Sequence, residues 1–172
     1  MHDLLAYEAM CFAREAHKCQ VRKYTGEPYF NHLAEVVAIT MSVGWQSSMK
    51  HPDMVMAVAW LHDVVEDTEI GKNPFVIDAT FGYDVAHGVW FLTDIEPGNR
   101  YQCKEASRIR LSNAPGWIQT IKCADLISNA TSIIKHDPKF APVFCGEAVM
   151  LLDVMDKADN RLRDMAYGIC RQ

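Results

Sequence analysis

The sequence predicts an all-α protein, a compact bundle of seven or eight helices. Apolar residues recur with a helical period in nearly every segment, and no segment alternates apolar and polar residues between turn signals. Proline, glycine and asparagine fall between those segments at about the spacing of helix ends. Residues 4–17 carry Leu4, Leu5, Met10, Cys11, Phe12 and Ala16 as their apolar positions, and a basic loop, 18–23, follows. Gly26 and Pro28 mark a turn. Pro28 suits the first turn of a helix reaching about Val43, because proline lacks an N–H that this turn would leave unbonded. Pro52-Asp53 opens the next helix, which runs through the apolar stretch 54–61 to about Asp67. Asn73 as cap and Pro74 at the first position start a short helix ended by Gly82, and 83–93 follows. Beyond a loop around Pro97-Gly98, helices are expected over 100–112, from Pro115 or Gly116 to Lys135, and from about Val143 to Tyr167.

The chain has 172 residues, enough for one domain spanning 1–172 with a real core, and no repeat or linker divides it. A formal charge of −5 argues against non-specific nucleic-acid binding, which depends on neutralising phosphates. A small anionic substrate stays open, since a pocket can be locally basic. No apolar run approaches the length of a membrane span, and the N-terminus lacks a basic region followed by an apolar core. A cytoplasmic protein without membrane association is the expectation. The six cysteines include no C-x-x-C pair, so reduced and mostly buried thiols are expected rather than a zinc ribbon.

The most informative residues are His62-Asp63-Val64-Val65-Glu66-Asp67-Thr68, directly after the apolar run. A buried helix rarely spends its last turn on a histidine and three acids unless a cation holds them. His62 and Asp63 can converge on one ion, while Glu66 and Asp67, one turn on, point toward what that ion holds. The alternative is a solvated acidic helix end. His32 sits early in another apolar helix, where alone it reads as a satisfied core or capping histidine. In 121–129, Lys122, Asp125 and Asn129 form one polar stripe on an apolar helix, which a Lys122–Asp125 salt bridge would also explain. Together His32, His62, Asp63 and Asp125 supply two imidazoles and two carboxylates. That mixed set leaves positions for water and substrate, whereas a structural zinc site would be closed and rich in sulfur. Its oxygen content favours a hard divalent ion, Mn²⁺ first, with Mg²⁺, Fe²⁺ and Zn²⁺ as alternatives.

The order H…HD…D resembles the HD metal-dependent phosphohydrolase superfamily. The wording is closer to the hydrolase domain of the RelA/SpoT alarmone enzymes and their small single-domain relatives, the SpoT-like (p)ppGpp hydrolases. The matching pieces are Gln20-Val21-Arg22-Lys23, Gly26-Glu27-Pro28-Tyr29-Phe30-Asn31-His32, Leu61-His62-Asp63-Val64-Val65-Glu66-Asp67-Thr68 and Ile121-Lys122-Cys123-Ala124-Asp125-Leu126-Ile127-Ser128-Asn129. They span roughly 4–136. Leu33 stands where the family usually has proline, and Leu126 where a basic residue often follows the A-D pair. The stretch 93–100 also differs from better-known members, on the side where substrate is expected. No segment resembles the synthetase or regulatory domains of the long enzymes.

The resemblance implies a hydrolase that removes the 3′-pyrophosphate of (p)ppGpp with Mn²⁺ held by His32, His62, Asp63 and Asp125. Glu66 and Asp67 would orient and deprotonate the attacking water. Arg22 would stack on the purine or grip phosphate, Lys23 would contact phosphate, and Asn129 would hydrogen-bond the nucleoside. Arg100, Lys104 and Arg108 fall at i, i+4 and i+8, a stripe that suits either the 5′ diphosphate or a solvated helix face. Two other readings stand beside this one. An HD hydrolase could act on another nucleotide (ppApp, NADPH or a dNTP), and a catalytically silent HD fold could serve as a nucleotide-binding module. The partner expected is a small-molecule nucleotide. His2, His17, His51, His87 and His136 read as structural or solvent-exposed, and Trp45, Trp60, Trp90 and Trp117 as core or interface aromatics.

Overall fold

A computed structural model describes residues 4–44, 51–73, 75–94 and 97–171, so His2, Trp45 and Pro74 lie outside the described residues. Among the described residues there are ten α-helices, one 3-10 turn and no strand beyond a single antiparallel bridge between Val21 and Pro28. The all-α class is as expected. Two of the expected helices, 52–67 and 143–167, are each broken in two. The chain divides into two compact units, Met1–Ile95 and Glu96–Gln172.

In the first unit, α1 (Leu5–Ala16), α2 (Phe30–Gly44) and α3 (Pro52–Leu61) precede the short α4 (Val64–Asp67). A 3-10 turn at Ile70–Lys72 leads to α5 (Val76–Phe81) and α6 (Tyr83–Leu92). α3 packs against α1, α2 and α6, which explains why it is apolar nearly all round: Val55, Ala57, Val58, Ala59 and Leu61 are all buried. Ala9 and Ala13 of α1 are fully buried as well, their small side chains allowing close approach to α3. Asp53 on α3 accepts the Ala6 N–H at 3.2 Å, capping the first turn of α1, whose own N-cap, Leu4, has no side chain for that task. Outside this packing, Trp60 stacks on Phe30 with centroids 5.1 Å apart, and Trp90 is largely exposed on α6.

The break between α3 and α4 falls at His62 and Asp63. Their dihedrals, φ −57° and ψ −34° then φ −101° and ψ −4°, stay close to helical. The apolar period therefore runs on through the break, which is why 52–67 reads as one helix. Thr68 closes α4 by donating to Val64 O at 2.8 Å and accepting from Gly71 N–H at 3.2 Å. Gly71 is obligatory here, because a Cβ would collide with Val64 O and Val65 Cα. Gly82, at φ +83°, lets α5 turn into α6.

The second unit holds α7 (Arg100–Asn113), α8 (Gly116–His136), α9 (Ala141–Leu152) and α10 (Asn160–Cys170). Asn99 and Gln102 form a capping box that starts α7. α8 is the axis, packed by α9 and α10 and buried from Ile118 to Ser128 except at Lys122. Two buried polar residues of α8 explain the second broken helix. Gln119 accepts the Lys157 N–H at 2.8 Å, and Thr120 Oγ1 accepts the Asp159 N–H at 2.9 Å, so they hold the turn between α9 and α10. Asp159 then caps α10 by accepting from Arg161 N–H. No helix among the described residues is long and apolar enough to cross a membrane.

Gly71→Ala should lower folding stability by about 1–3 kcal/mol, because the methyl overpacks a closed backbone contact. Urea denaturation measures it; an unchanged midpoint would mean that the turn has room.

Candidate metal centre

His32 lies in the first turn of α2, His62 directly after α3, and Asp63 at the start of α4. His62 and Asp63 are consecutive residues where α3 gives way to α4. Their ligand atoms and that of His32 all lie within 4.8 Å of one another. Asp63 Oδ2 is 3.1 Å from His62 Nε2 and 3.4 Å from His32 Nε2. Ligand atoms at right angles around an ion with bonds of ~2.1 Å stand ~3.0 Å apart, so these separations fit adjacent corners of one coordination shell.

The protonation pattern points the same way. His62 Nδ1–H donates to Ala59 O at 2.7 Å, which leaves the lone pair of a neutral ring on Nε2, facing Asp63. Tyr29 Oη–H donates to Asp63 Oδ2 at 2.7 Å and steadies it. Burial raises the Asp63 pKa, but with the His62 and His32 rings protonated their positive charge outweighs it and holds the carboxyl well below the usual carboxylate range; a divalent ion would supply the same positive charge with the rings neutral. Both histidines are almost wholly buried, and electron-rich atoms gathered this closely away from water call for a cation among them. The residues present therefore fit a divalent ion with nitrogen and oxygen ligands.

Glu66 and Asp67 lie one turn on, exposed at the end of α4. Glu66 Oε2 accepts the Asp94 N–H at 3.0 Å, and Asp67 Oδ2 accepts from Gln20 Nε2 at 3.3 Å. Arg22 and Lys23 occupy the loop between α1 and α2, which the Val21–Pro28 bridge and an Arg22 N–H to Glu27 O bond of 2.8 Å close on itself. Lys23 Nζ rests over the Tyr24 ring, 4.9 Å from its centroid. In the second unit, Asp125 is buried on α8 with Lys122 Nζ 2.8 Å from Oδ2 and Asn129 Nδ2 donating to Oδ1 at 2.6 Å. Arg100, expected on the substrate side, forms a two-pronged pair with Glu147 of α9 at 2.6 and 2.7 Å. Arg108 is paired with Glu105 within α7, and Lys104 is exposed on the same helix. Cys123, next to this polar stripe, is inert: burial pushes its thiol up to about 12.

Three residues beside the site were not singled out from sequence: Tyr29, Gln20 and His17. Tyr29 precedes His32 by three positions, a spacing that turns both toward one side where α2 begins. His17 is buried, so the solvent-exposed reading does not hold for it.

Residues 9–114 match the HD domain family. This chain belongs to that family. Among HD relatives, a guanosine-3′,5′-bis(diphosphate) 3′-pyrophosphohydrolase of Xenopus tropicalis is 32% identical over 139 residues, covering 78% of this chain and 73% of the relative. A probable enzyme of the same description from Synechocystis sp. is 31% identical over 141 residues, again 78% of this chain. A probable chloroplastic GTP diphosphokinase of Arabidopsis thaliana is 30% identical over 168 residues, 93% of this chain. The chain spans 17% and 22% of those two longer relatives. The solved structure of a metazoan ortholog of SpoT that hydrolyzes ppGpp superposes with a TM-score of 0.85 over 100% of this chain and 97% of its own. At 24% identity, that likeness shows the HD fold.

His62→Ala and Asp63→Asn should abolish tight binding of a divalent ion, and Tyr29→Phe should weaken it ~10–100-fold by freeing the ligand carboxylate. Isothermal titration calorimetry reads all three. Wild-type affinity in the His62 and Asp63 variants would place the ion elsewhere.

Proposed function

We propose that this chain is a Mn²⁺-dependent hydrolase that removes the 3′-pyrophosphate of guanosine tetra- and pentaphosphate, converting ppGpp to GDP and pyrophosphate. One observation carries the reading: the cluster of buried His32 and His62 with half-buried Asp63 is followed, one helical turn later, by two exposed acids, Glu66 and Asp67. The names of the Xenopus and Synechocystis relatives agree with it. The reading takes 1–172 as a single phosphohydrolase domain. A family match crossing from the first unit into the second and the HD likeness over the whole chain support this.

In this reading His32, His62, Asp63 and Asp125 hold the ion, which when bound lowers the pKa of water and neutralises charge on phosphoryl oxygens. Asp125 belongs to the set as a buried carboxylate on an apolar helix, held by Lys122 and Asn129. Glu66 and Asp67 orient the water and take its proton. The water oxygen bonds to the phosphorus joined to the ribose 3′ oxygen, that P–O bond breaks, and a proton returns to the 3′ oxygen. Arg22 and Lys23 hold the pyrophosphate, the guanidinium by a planar two-pronged or stacked contact and the ammonium as a point charge. Asn129 meets the nucleoside while donating to Asp125. Arg100 and Lys104 serve the 5′ diphosphate, Arg100 by exchanging the Glu147 carboxylate for phosphate. The protein works on a small nucleotide, in the cytoplasm.

The alternative within the same chemistry is another nucleotide, favoured by the departure of 93–100 from better-known members and by the pairing of Arg100. A panel of ppGpp, ppApp, GTP, dATP and NADPH with Mn²⁺, resolved by chromatography, decides it. Pyrophosphate release from ppGpp at the highest kcat/KM supports the proposal. Brisk turnover of another nucleotide beside idle ppGpp keeps the hydrolase and replaces the substrate, and binding without any turnover makes the chain a nucleotide-binding module.

Glu66→Gln and Asp67→Asn should retain the ion and lose turnover by ~10²–10⁴-fold. Loss of metal in proportion to activity would make these acids ligands instead. Arg22→Lys should lower kcat/KM with metal affinity unchanged, because an ammonium cannot reproduce the planar contact.

A further inference from the structure

His17 ends α1, is 2% exposed, and has no role in the chemistry above. Its Nδ1 lies 2.6 Å from Gln20 Oε1. An amide oxygen only accepts, so the proton sits on His17 Nδ1 and donates to Gln20. Gln20 Nε2 donates in turn to Asp67 Oδ2 at 3.3 Å. Were the amide turned over, its oxygen would face a carboxylate oxygen, so the charge on Asp67 fixes the direction of the whole chain of bonds. The backbone of Gln20 is held at both ends, its N–H donating to His17 O and its C=O accepting from Tyr29 N–H, each at 2.9 Å.

The same imidazole has a second contact. It stacks on Tyr29 with centroids 5.0 Å apart and planes 13° from parallel, and Tyr29 is the donor to Asp63 Oδ2. One buried ring thus stands behind a proposed proton acceptor and behind a proposed metal ligand. His17 Nε2 is buried without a hydrogen-bond partner, a cost that an apolar ring of similar size would avoid. What phenylalanine could not supply is the Nδ1 proton.

We propose that His17 is a positioning residue of the hydrolytic site, orienting Asp67 through Gln20 and Asp63 through Tyr29. The assignment rests on the reading of Asp67 as the group that orients and deprotonates water. It also separates two tasks within one side chain: the N–H serves Asp67, and the ring face serves Tyr29.

Two substitutions test the tasks apart. His17→Phe keeps a ring against Tyr29 and removes the donor. His17→Asn keeps an N–H near the Nδ1 position and removes the ring. His17→Phe and Gln20→Leu should each lower kcat ~10–100-fold at unchanged KM and Mn²⁺ affinity, with the double variant no worse than either single one. His17→Asn should recover most of kcat at saturating Mn²⁺ yet bind the ion roughly tenfold more weakly. A purely structural histidine predicts another pattern: asparagine, which fills less space, is worse than phenylalanine in both melting temperature and kcat. That order, or additive losses in the double variant, overturns the proposal. Histidine ring ¹⁵N NMR on the wild-type protein gives a readout free of substrate. An Nδ1–H tautomer at His17 that is lost in Gln20→Leu supports the chain of bonds, and an Nε2–H tautomer refutes it. If ppGpp proves not to be the substrate, the kinetic ratios are taken on whichever nucleotide is turned over. The substrate panel and the tautomer therefore fail independently.

Discussion

Everything in the first unit is arranged around the meeting of two imidazole nitrogens and a carboxylate oxygen inside hydrophobic packing. Such a gathering is unfavourable by itself, because lone pairs in a medium of low polarity repel and cannot recruit water to relieve them. It persists because the helices carrying it are fixed elsewhere. α3 is apolar on all sides and wedged among α1, α2 and α6, so its end cannot back away from His32. His62 and Asp63 follow directly on Leu61, and Thr68 and Gly71 lock the chain that leaves them. Packing energy distributed over many apolar contacts is in this way concentrated on a few polar atoms, and a divalent cation is what converts the arrangement from strain into binding.

Three carboxylates of the proposed function are each oriented by a neighbour. Asp63 accepts a hydrogen bond from Tyr29 and Asp67 one from Gln20, and both donors lean on His17. Asp125 reaches the same end with local means, since Lys122 and Asn129 stand three and four positions away on its own helix. The difference follows from place. α8 runs straight through its unit, so helix periodicity supplies neighbours for Asp125. Asp63 and Asp67, at the two ends of a helix of four residues, borrow neighbours from the loop between α1 and α2, and Glu66 one from the chain after α6.

That contrast also explains what was legible in the sequence. The all-α class was readable because amphipathic periodicity is a local property, and His32, His62 and Asp63 stood out because ionisable residues inside apolar helices violate it. The break at 62–63 was hidden by near-helical dihedrals that leave the period intact. The break near 153–159 was hidden for a different reason: it is fixed from α8, by Gln119 and Thr120, whose partners lie far along the chain. Gln20 and Tyr29 were quoted in the motifs without a role, and His17 looked ordinary, because their function is a set of contacts between segments. Periodicity on α7 suggested a cationic face, but Glu105 and Glu147 already answer two of its three charges.

Those pairings bear on how an acidic chain, with net charge −5, would gather a polyanion. Long-range attraction is screened within about 8–10 Å at physiological salt, so local charge decides. Arg108 with Glu105 is close to neutral at that distance, as is Arg100 with Glu147, and neither draws phosphate until its carboxylate is displaced. For Arg100 the exchange is nearly even, because carboxylate and phosphate present similar two-pronged acceptors to a guanidinium. Lys23 meets only an aromatic face and a hydroxyl among its described partners, and its charge is not cancelled by an acid there. In the proposed function Lys23 would thus meet phosphate without first giving up an acid among its described partners. Under the proposed function, Arg100 and Arg108 would therefore hold phosphate only at the expense of an existing salt bridge.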